Sequence, residues 1–458
     1  MRRRSAAIAW VSLNRSRGTF FGGVFLPDEK ATTGHRDIES MPNTGSLRVA
    51  MRQHAGAEST PCVRAGQDVQ AGQLIGQPGA DGDAMPLHAP MSGRVSGIVR
   101  ADTPHACGVP AVEIEPDGRD EWTTAAGTPP EKMTFESLIE LVRRAGIGGM
   151  ARDGSATADT LAAAAAHGVR HVIINAMESE PYLTAEYRIL LEYGHLATRT
   201  ADLIAGLLGA ARLWLAVDRA NGYLISELRR LAHGTRVRVL PIRNKYPQGA
   251  SALLVRSIVG REIPYGGSPL DVGAVVLHGC TVLAIGQAVQ AGRPCVDRIV
   301  TVAGDAVSVP GNYRVSLGTP VHRLIEHVGL RRPVKRIVVG GPMTGVAIPS
   351  PDVVTTKRVR AVLLLTDKQA RPSRPGPCIR CGWCLEDCPV GLDPPSLLAA
   401  VEAHSHGDPA GESGRLDRIG RLLPHACLGC GVCSYVCPAR LPLTEGVARA
   451  CTLVPVRS

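Results

Sequence analysis

CIRCGWCLEDCP at residues 378–389 and CLGCGVCSYVCP at residues 427–438 are two copies of one pattern, C-x2-C-x2-C-x3-C-P. Three thiolates at this spacing can surround one [4Fe–4S] cluster from a single loop, while the fourth cysteine of each copy ligates the cluster of the other copy. The pattern therefore predicts two clusters with crossed ligation. The first ligand set is Cys378, Cys381, Cys384 and Cys437, and the second is Cys427, Cys430, Cys433 and Cys388.

A zinc site is the alternative reading of these cysteines. Structural zinc is usually held by two C-x2-C pairs that together give one tetrahedral set of thiolates. A triplet followed by a fourth Cys-Pro, present twice, fits that arrangement poorly and favours iron and sulfide. Two neighbouring clusters serve electron transfer more readily than substrate chemistry. Thiolates kept for clusters also indicate a reducing compartment.

The composition of the chain limits its other functions. Its 458 residues are enough for about three domains. Only 3% of the residues are aromatic, so base stacking is not expected and no nucleic-acid partner is predicted. The formal net charge of +10 suits an anionic lipid surface or an acidic redox partner. No apolar run is long enough for a transmembrane helix, and residues 1–17 are interpreted as an N-terminal extension rather than a secretory signal.

Residues 18–120 are predicted to form a β-rich domain, because Gly and Pro separate short alternating segments. VRAGQDVQAGQLIG at 63–76 and HAPMSGRV at 88–95 resemble the strands of a lipoyl-type barrel sandwich. Met91 and Ser92 occupy the turn where carrier domains have a modified lysine. A structural module, not a swinging arm, is therefore predicted.

The rest of the chain divides by its pattern of helices and strands. Residues 131–270 alternate between the two, which predicts a Rossmann-like α/β layer. Residues 271–346 return to strands separated by turns. Residues 368–450 hold the cysteine motifs, with predicted helices between them. The predicted fold class is multidomain, α/β and α+β.

The order of motifs along the chain resembles the C subunit of Rnf- or Rsx-type electron-transport complexes. The resemblance runs from about residue 19 to residue 447. Besides the two cysteine motifs it includes QHAGA at 53–57, HAP at 88–90, ESEPY at 178–182, KYPQG at 245–249 and GGPMTG at 340–345.

This resemblance implies a fold and a setting. The four modules would be a barrel-sandwich hybrid, a Rossmann-like domain that binds NADH and FMN, a β-grasp domain of the SLBB type, and a helical two-cluster ferredoxin domain. The chain would be peripheral on the cytoplasmic face of the cell membrane. Its partners would be the integral-membrane and flavin-bearing subunits of the same complex, and ferredoxin. The complex would couple electron transfer to ion translocation.

The resemblance also implies cofactor-binding residues. The family's loop G-L-G-G-A-G-F-P-T, whose N–H groups cradle a phosphate, aligns with residues 149–157. Two of its glycines are replaced here, by Ala151 and Arg152. The family's N-x-x-E-x-E-P aligns with residues 175–181 and would contact flavin and ribose. The implied residues are Gly149, Gly154, Thr157, Asn175, Glu178 and Glu180, with Lys245 as a phosphate or partner contact or a plain surface lysine.

Three functions stay open on these residues. The first is an electron-transfer subunit that oxidises NADH through a flavin, as the segment with Glu178 and Glu180 favours. The second is an iron–sulfur conduit without flavin, fed by a soluble donor such as ferredoxin, as the altered glycine-rich loop favours. The third is a cobalamin-reductase-like protein with the same modules. The cysteine motifs do not separate these three.

Overall fold

The computed structural model describes residues 19–54, 56–79, 84–123, 127–150, 154–370, 374–405 and 411–456. The predicted extension over residues 1–17 lies outside the described residues. The strands are β1 Ile38–Ser40, β2 Leu47–Ala50, β3 Thr60–Pro61, β4 Asp68–Val69, β5 Leu74–Gln77, β6 Leu87–His88, β7 Gly93–Thr103, β8 Ala106–Pro116, β9 His171–Ala176, β10 Arg212–Asp218, β11 Val237–Ile242, β12 Ala274–His278, β13 Asp297–Ala303, β14 Gly311–Ser316, β15 Arg336–Val339, β16 Val346–Ile348 and β17 Ala361–Leu365. The helices are α1 Phe135–Arg144, α2 Thr157–Ala166, α3 Ala185–Glu192, α4 Gly194–Leu207, α5 Gly222–Leu231, α6 Ser251–Val259, α7 Gly279–Ala291, α8 Val321–Val328, α9 Trp383–Glu386, α10 Pro394–Ser405, α11 Gly411–Arg421, α12 Val432–Val436 and α13 Leu443–Leu453.

The N-terminal module is a barrel sandwich of two facing sheets. One sheet has the strand order β2-β8-β7-β4 and the other β3-β5-β6. The long hairpin of β7 and β8 alternates buried and exposed residues, as expected for strands with one face on a core. Leu47, Met51, Ile75 and Ile114 lie in that core. The turn at Met91 and Ser92 is buried, so it is part of the packing and not an exposed attachment point.

Strand β1 does not follow the predicted boundary of this module. It lies within residues 18–120 but pairs in parallel with β14, with Glu39 opposite Tyr313. Sheet edges gain stability from any strand that satisfies their free N–H and C=O groups. Local alternation predicts that a segment is extended, but it does not say which sheet the segment joins.

The Rossmann-like module is a parallel sheet with the order β11-β10-β9-β12. Five of the six residues of β9 are buried, as expected where helices cover both faces of a parallel sheet. Strand β12 and helix α7 lie beyond the predicted boundary at residue 270, yet β12 pairs with β9 and α7 packs on α4. The module therefore continues through α7.

The β-grasp module is a mixed sheet with the order β1-β14-β13-β17-β15-β16, and α8 packs on it. One strand of this sheet lies beyond the predicted end at residue 346. Strand β17 lies between β13 and β15 in the middle of the sheet, and four of its five residues are buried. The module therefore needs the chain as far as Leu365.

The C-terminal module holds the cysteine motifs on loops above a small helical core. Helix α10 packs against α11 and α13 around Leu397, Val401 and Val447. In each motif a glycine with left-handed backbone precedes a short helix: Gly382 has φ 84° and Gly431 has φ 79°. An L side chain is strained at such angles, so both motifs use glycine to make the same turn.

The first strand of the long hairpin offers a test of this packing. A Cβ atom on Gly93 would lie 2.0 Å from the carbonyl oxygen of Glu115 on the paired strand. We expect Gly93→Ala to lower the free energy of unfolding by about 2–3 kcal/mol, since backbone on both sides must move. Thermal and denaturant midpoints of the anaerobically purified protein measure this.

Gly97→Ala is the matched control, because it lies in the same strand and its added Cβ meets no atom within 4 Å. We expect a change within about 0.5 kcal/mol. Equal effects of the two substitutions would contradict the close approach of β7 and β8 at Gly93.

Candidate functional site

The thiols of the first predicted set line one surface cavity. This cavity has a volume of about 310 Å³ and a mostly apolar wall that includes Cys378, Cys381, Cys384 and Cys437. Burial raises the pKa of Cys384 to about 11, with smaller contributions from the charges of Cys437 and Cys381. The structure thus brings the fourth cysteine of the second motif to the triplet of the first. Cys378 and Cys381 are exposed, so this site faces solvent.

The thiols of the second predicted set also lie together. Burial raises the pKa of Cys430 to about 12; a hydrogen bond from the Val432 backbone opposes the rise, and the charges of Cys427, Cys433 and Cys388 add smaller increases. Backbone N–H groups donate to two of these sulfur atoms: Gly429 donates to Cys427 Sγ and Leu392 donates to Cys388 Sγ, each at 3.3 Å. Such donors stabilise thiolates bound to iron. The geometry and chemistry of both sets fit [4Fe–4S] clusters with crossed ligation.

A second, larger cavity lies where all four modules meet. Its volume is about 1410 Å³, and its wall includes the loop 177–180, the start of α6, the segment 356–360 and the second-motif residues 427–430. The first-motif cysteines do not line it. The central cavity therefore borders one cysteine set, while the other set borders solvent.

The predicted carboxylates stand at the edge of this cavity, and neither is a solvated loop residue. Glu178 is 9% exposed and Glu180 is 6% exposed. Glu178 accepts hydrogen bonds from the N–H groups of Glu186 and Tyr187, at 2.9 and 3.0 Å, and so caps α3. Glu180 accepts from the N–H groups of Met343 and Thr344, at 2.9 and 3.2 Å. Both carboxylates are thus held in place by the protein's own backbone.

Asn175 has a structural role beside the cavity. Its amide nitrogen donates to the carbonyl of Gly249 at 2.9 Å and lies 3.2 Å from Nε2 of His278. Its oxygen accepts from the N–H of Met177 at 3.1 Å. Asn175 therefore orients the loop that follows β9, and it does not line the cavity.

Lys245 lies away from the cavity. Its ammonium group donates to the carbonyl of Phe20 at 2.6 Å and sits 4.4 Å from the centre of the Phe20 ring. Burial lowers its pKa, with Arg243 adding to the effect and Asp387 opposing it. The described contacts of Lys245 thus lie within the chain, where it fastens the N-terminal segment at Phe20.

The next residue, Tyr246, was not identified from the sequence. It is buried, lines the cavity, and its hydroxyl donates to the carbonyl of Cys430 at 2.5 Å. Burial raises its pKa well above the usual range, so it remains a neutral donor. It joins the central cavity directly to the second-motif loop.

The middle of the predicted phosphate loop, residues 151–153, lies outside the described residues. Its two ends are closed by a hydrogen bond from Gly149 N–H to Ser155 C=O at 2.8 Å. Gly154 has φ 67°, and a Cβ there would lie 2.8 Å from the side chain of Arg358. Thr157 is buried at the first turn of α2, and its hydroxyl has no hydrogen-bond partner in the described part of the chain.

Arg358 and Arg360 line the cavity just before β17, and they too were not identified from the sequence. The charge of Arg360 acts on several buried groups, namely Glu178, Glu186, Tyr246, His278 and Cys280. Two guanidinium groups in one cavity suit an anionic ligand such as a phosphate.

Comparison with known proteins assigns every module. Family models match residues 18–119 (RnfC barrel sandwich hybrid domain), 142–287 (Nuo51 FMN-binding domain), 299–347 (SLBB domain) and 376–441 (4Fe-4S dicluster domain). The dicluster match covers all eight motif cysteines and confirms iron–sulfur over zinc.

Relatives cover most of the chain. The C subunit of the proton-translocating ferredoxin:NAD(+) oxidoreductase complex of Clostridium ljungdahlii is 36% identical over 390 residues, 83% of each chain. The C subunit of the ion-translocating oxidoreductase complex of Rhodobacter capsulatus is 36% identical over 83% of this chain and 75% of its own. An NAD+-reducing [NiFe]-hydrogenase in the air-oxidized state shares the fold, with a TM-score of 0.50 and 17% identity over 75% of this chain and 70% of its own. Within the described ranges, no helix is both long enough and apolar enough to cross a bilayer.

Crossed ligation predicts which cluster each fourth cysteine serves. We expect Cys388→Ser to lose the cluster of the second motif and keep that of the first, while Cys437→Ser does the reverse. EPR spectra of the dithionite-reduced proteins measure this. Cys427→Ser and Cys378→Ser supply the reference spectra for loss of each cluster. A Cys388→Ser spectrum that matches Cys378→Ser would contradict the crossed arrangement.

The buried carboxylate of Glu186 predicts a pH dependence. It accepts from the N–H of Cys280 at 3.0 Å, and burial raises its pKa to about 7. The protonated form is therefore stabilised by the fold, and this contribution is lost as the pH rises through about 7. Glutamine cannot ionise. From pH 5.5 to pH 8, we expect the free energy of unfolding of Glu186→Gln to rise by about 2 kcal/mol relative to that of wild type, by linkage.

Unfolding midpoints at the two pH values measure this gain. The exposed Glu58 supplies the control, since Glu58→Gln should leave the pH dependence of stability unchanged. If the unfolding midpoints of wild type and Glu186→Gln differ by the same amount at both pH values, Glu186 has an ordinary pKa.

Proposed function

The chain belongs to the family of C subunits of Rnf-type ion-translocating oxidoreductase complexes, and it is an electron-transfer subunit with two [4Fe–4S] clusters; we propose that it exchanges electrons between NADH and the other subunits through a flavin in the central cavity. NAD and ferredoxin stand in the name of the Clostridium relative. We also propose that the chain lies on the cytoplasmic face of the membrane, beside integral-membrane and flavin-bearing subunits.

One observation carries the proposal: the central cavity and the second cysteine set share a wall. Cys427 and Cys430 line the cavity, and Tyr246 reaches from the cavity to the Cys430 carbonyl. A redox group held there would lie against the chain's own iron–sulfur site. The first set, with its exposed thiols, is the one left to meet a partner.

The residues around the cavity fit a phosphorylated cofactor. Arg358 and Arg360 supply positive charge for a phosphate, and Gly154 in the loop before α2 lies beside Arg358. Glu178 and Glu180 each keep lone pairs for a ribose hydroxyl, since a carboxylate has about four acceptor positions. When bound, a flavin supplies the step between two-electron hydride transfer and single electrons. Orienting the nicotinamide and excluding water are the tasks of the cavity wall.

A conduit without flavin is the second candidate, and one observation favours it. The Arg358 side chain packs directly over Gly154, at the loop whose glycines are partly replaced. A bulky side chain there narrows the approach of a phosphate to the loop backbone. In that case the soluble donor would meet the chain's clusters directly.

Anaerobic purification separates the two candidates. We expect about eight irons per chain, stoichiometric FMN released on denaturation, and bleaching of cluster absorbance on addition of NADH. About eight irons with no flavin and no response to NADH, but full bleaching by reduced ferredoxin, would establish the conduit instead. A colourless, iron-free protein would overturn both.

A further inference from the structure

The loop of the first cysteine motif exposes large apolar side chains. Ile379 is 64% exposed, Trp383 53% and Leu385 43%. Ile379 and Leu385 line the same surface cavity as the first cysteine set, and Trp383 directly precedes Cys384. Scattered exposed leucines are ordinary, but a tryptophan grouped with two aliphatic side chains around a redox site indicates a binding surface. We name these three residues the first-cluster face.

Arginines surround this face. Arg380 lines the same cavity. Arg440 follows Ala439 in the cavity wall, and Ala439 C=O accepts from Gly376 N–H at 2.9 Å, which brings Arg374 to the same edge. All three arginines are exposed. Among the described residues none of them forms an ion pair, and Glu386 is the exposed carboxylate on the neighbouring helix α9.

Charge and composition together define the partner. Interfaces are enriched in aromatic residues and arginine, and their rim charges steer a partner of opposite sign. An apolar centre with unpaired arginines around it therefore suits a protein surface that is apolar in the middle and acidic at its edge. Anionic lipid also accommodates tryptophan and arginine, but a lipid makes no use of a solvent-facing redox site, which favours a protein partner.

The geometry points to the first-cluster face as the docking surface for another subunit of the same complex, one with an acidic surface around its own redox centre. This inference rests on the proposed function, because it needs the first cluster to exchange electrons outside the chain. Membership of the complex supplies the partner class. The second cysteine set instead borders the central cavity, where Tyr246 contacts Cys430, whereas Cys378 and Cys381 of the first set are exposed.

Membranes from a strain that lacks this chain but keeps the other subunits are the probe. Full-length protein with its clusters is added anaerobically, and bound protein is measured by co-sedimentation. We expect the double variant Arg380→Glu with Arg440→Glu to bind at least about tenfold more weakly at about 50 mM salt. The difference in binding between the double variant and wild type should be smaller at about 500 mM salt, where surface charges are screened. Trp383→Ala should bind more weakly at both salt concentrations.

Matched controls come from the rest of the surface. Arg332→Glu with Arg336→Glu reverses two exposed charges of the β-grasp module, and Tyr223→Ala removes an aromatic ring that is 73% exposed. Both should bind like wild type. Iron content and EPR spectra of every variant must equal those of wild type. Arg380 and Arg440 both have positive φ, so their substitution also tests the backbone. Arg374→Glu repeats the charge reversal at a residue whose φ is not positive.

Three results would overturn the inference. The charge-reversed and Trp383 variants could bind like wild type, or wild type could bind equally to membranes that lack every subunit, which would indicate lipid. The variants could also dock normally yet lose electron exchange with a soluble acidic carrier, which would assign the face to that carrier. Docking is measured without NADH, so a failure of the flavin proposal would leave this test intact.

Discussion

The placement of one cysteine of each motif beside the other motif is the constraint on which the C-terminal module depends. Cys437 lines the cavity of the first triplet, and Cys388 lies close enough to Cys430 for their charges to interact. Helices α10, α11 and α13 hold the loops at that separation through a core that includes Leu397 and Val447. Ligation then adds binding free energy to folding, because the complete set of thiolates exists only in the folded chain.

Contacts from both cysteine motifs attach this module to the rest of the chain. Tyr246 donates to Cys430 C=O, and Gly23 N–H donates to Asp387 C=O at 2.8 Å. Gly431 packs closely on Met343 in the β-grasp module. All of these contacts join the cysteine-motif loops to the other three modules. The second cysteine set is thereby fixed against the central cavity, and the first set is left at the surface.

The sequence was informative wherever the signal is local. Cysteine spacing predicted two sets of thiols that the structure brings together, and periodicity predicted the strands of the parallel sheet, because both signals depend on near neighbours in the chain. Membership of a sheet does not: β1, β12 and β17 each joined a sheet that their own residues could not specify. The same limit applies to the cavity. Glu178 and Glu180 were found from their motif, but their hydrogen bonds to helix α3 and to the loop at Met343 depend on distant segments.

Backbone N–H groups hold three buried carboxyl groups at and beside the cavity. Glu178 caps α3, Glu186 meets the N-terminus of α7 at Cys280, and Glu180 accepts from two loop N–H groups. The partial positive charge of a helix N-terminus offsets part of the cost of burying an anion, but burial still raises the pKa of Glu178 and of Glu186. Arg360 forms no ion pair within the described residues, and its charge opposes that rise in pKa. A ligand that enters the cavity therefore meets carboxylates already held by the backbone and, at Arg360, a guanidinium group whose charge no carboxylate of the cavity neutralises by direct contact.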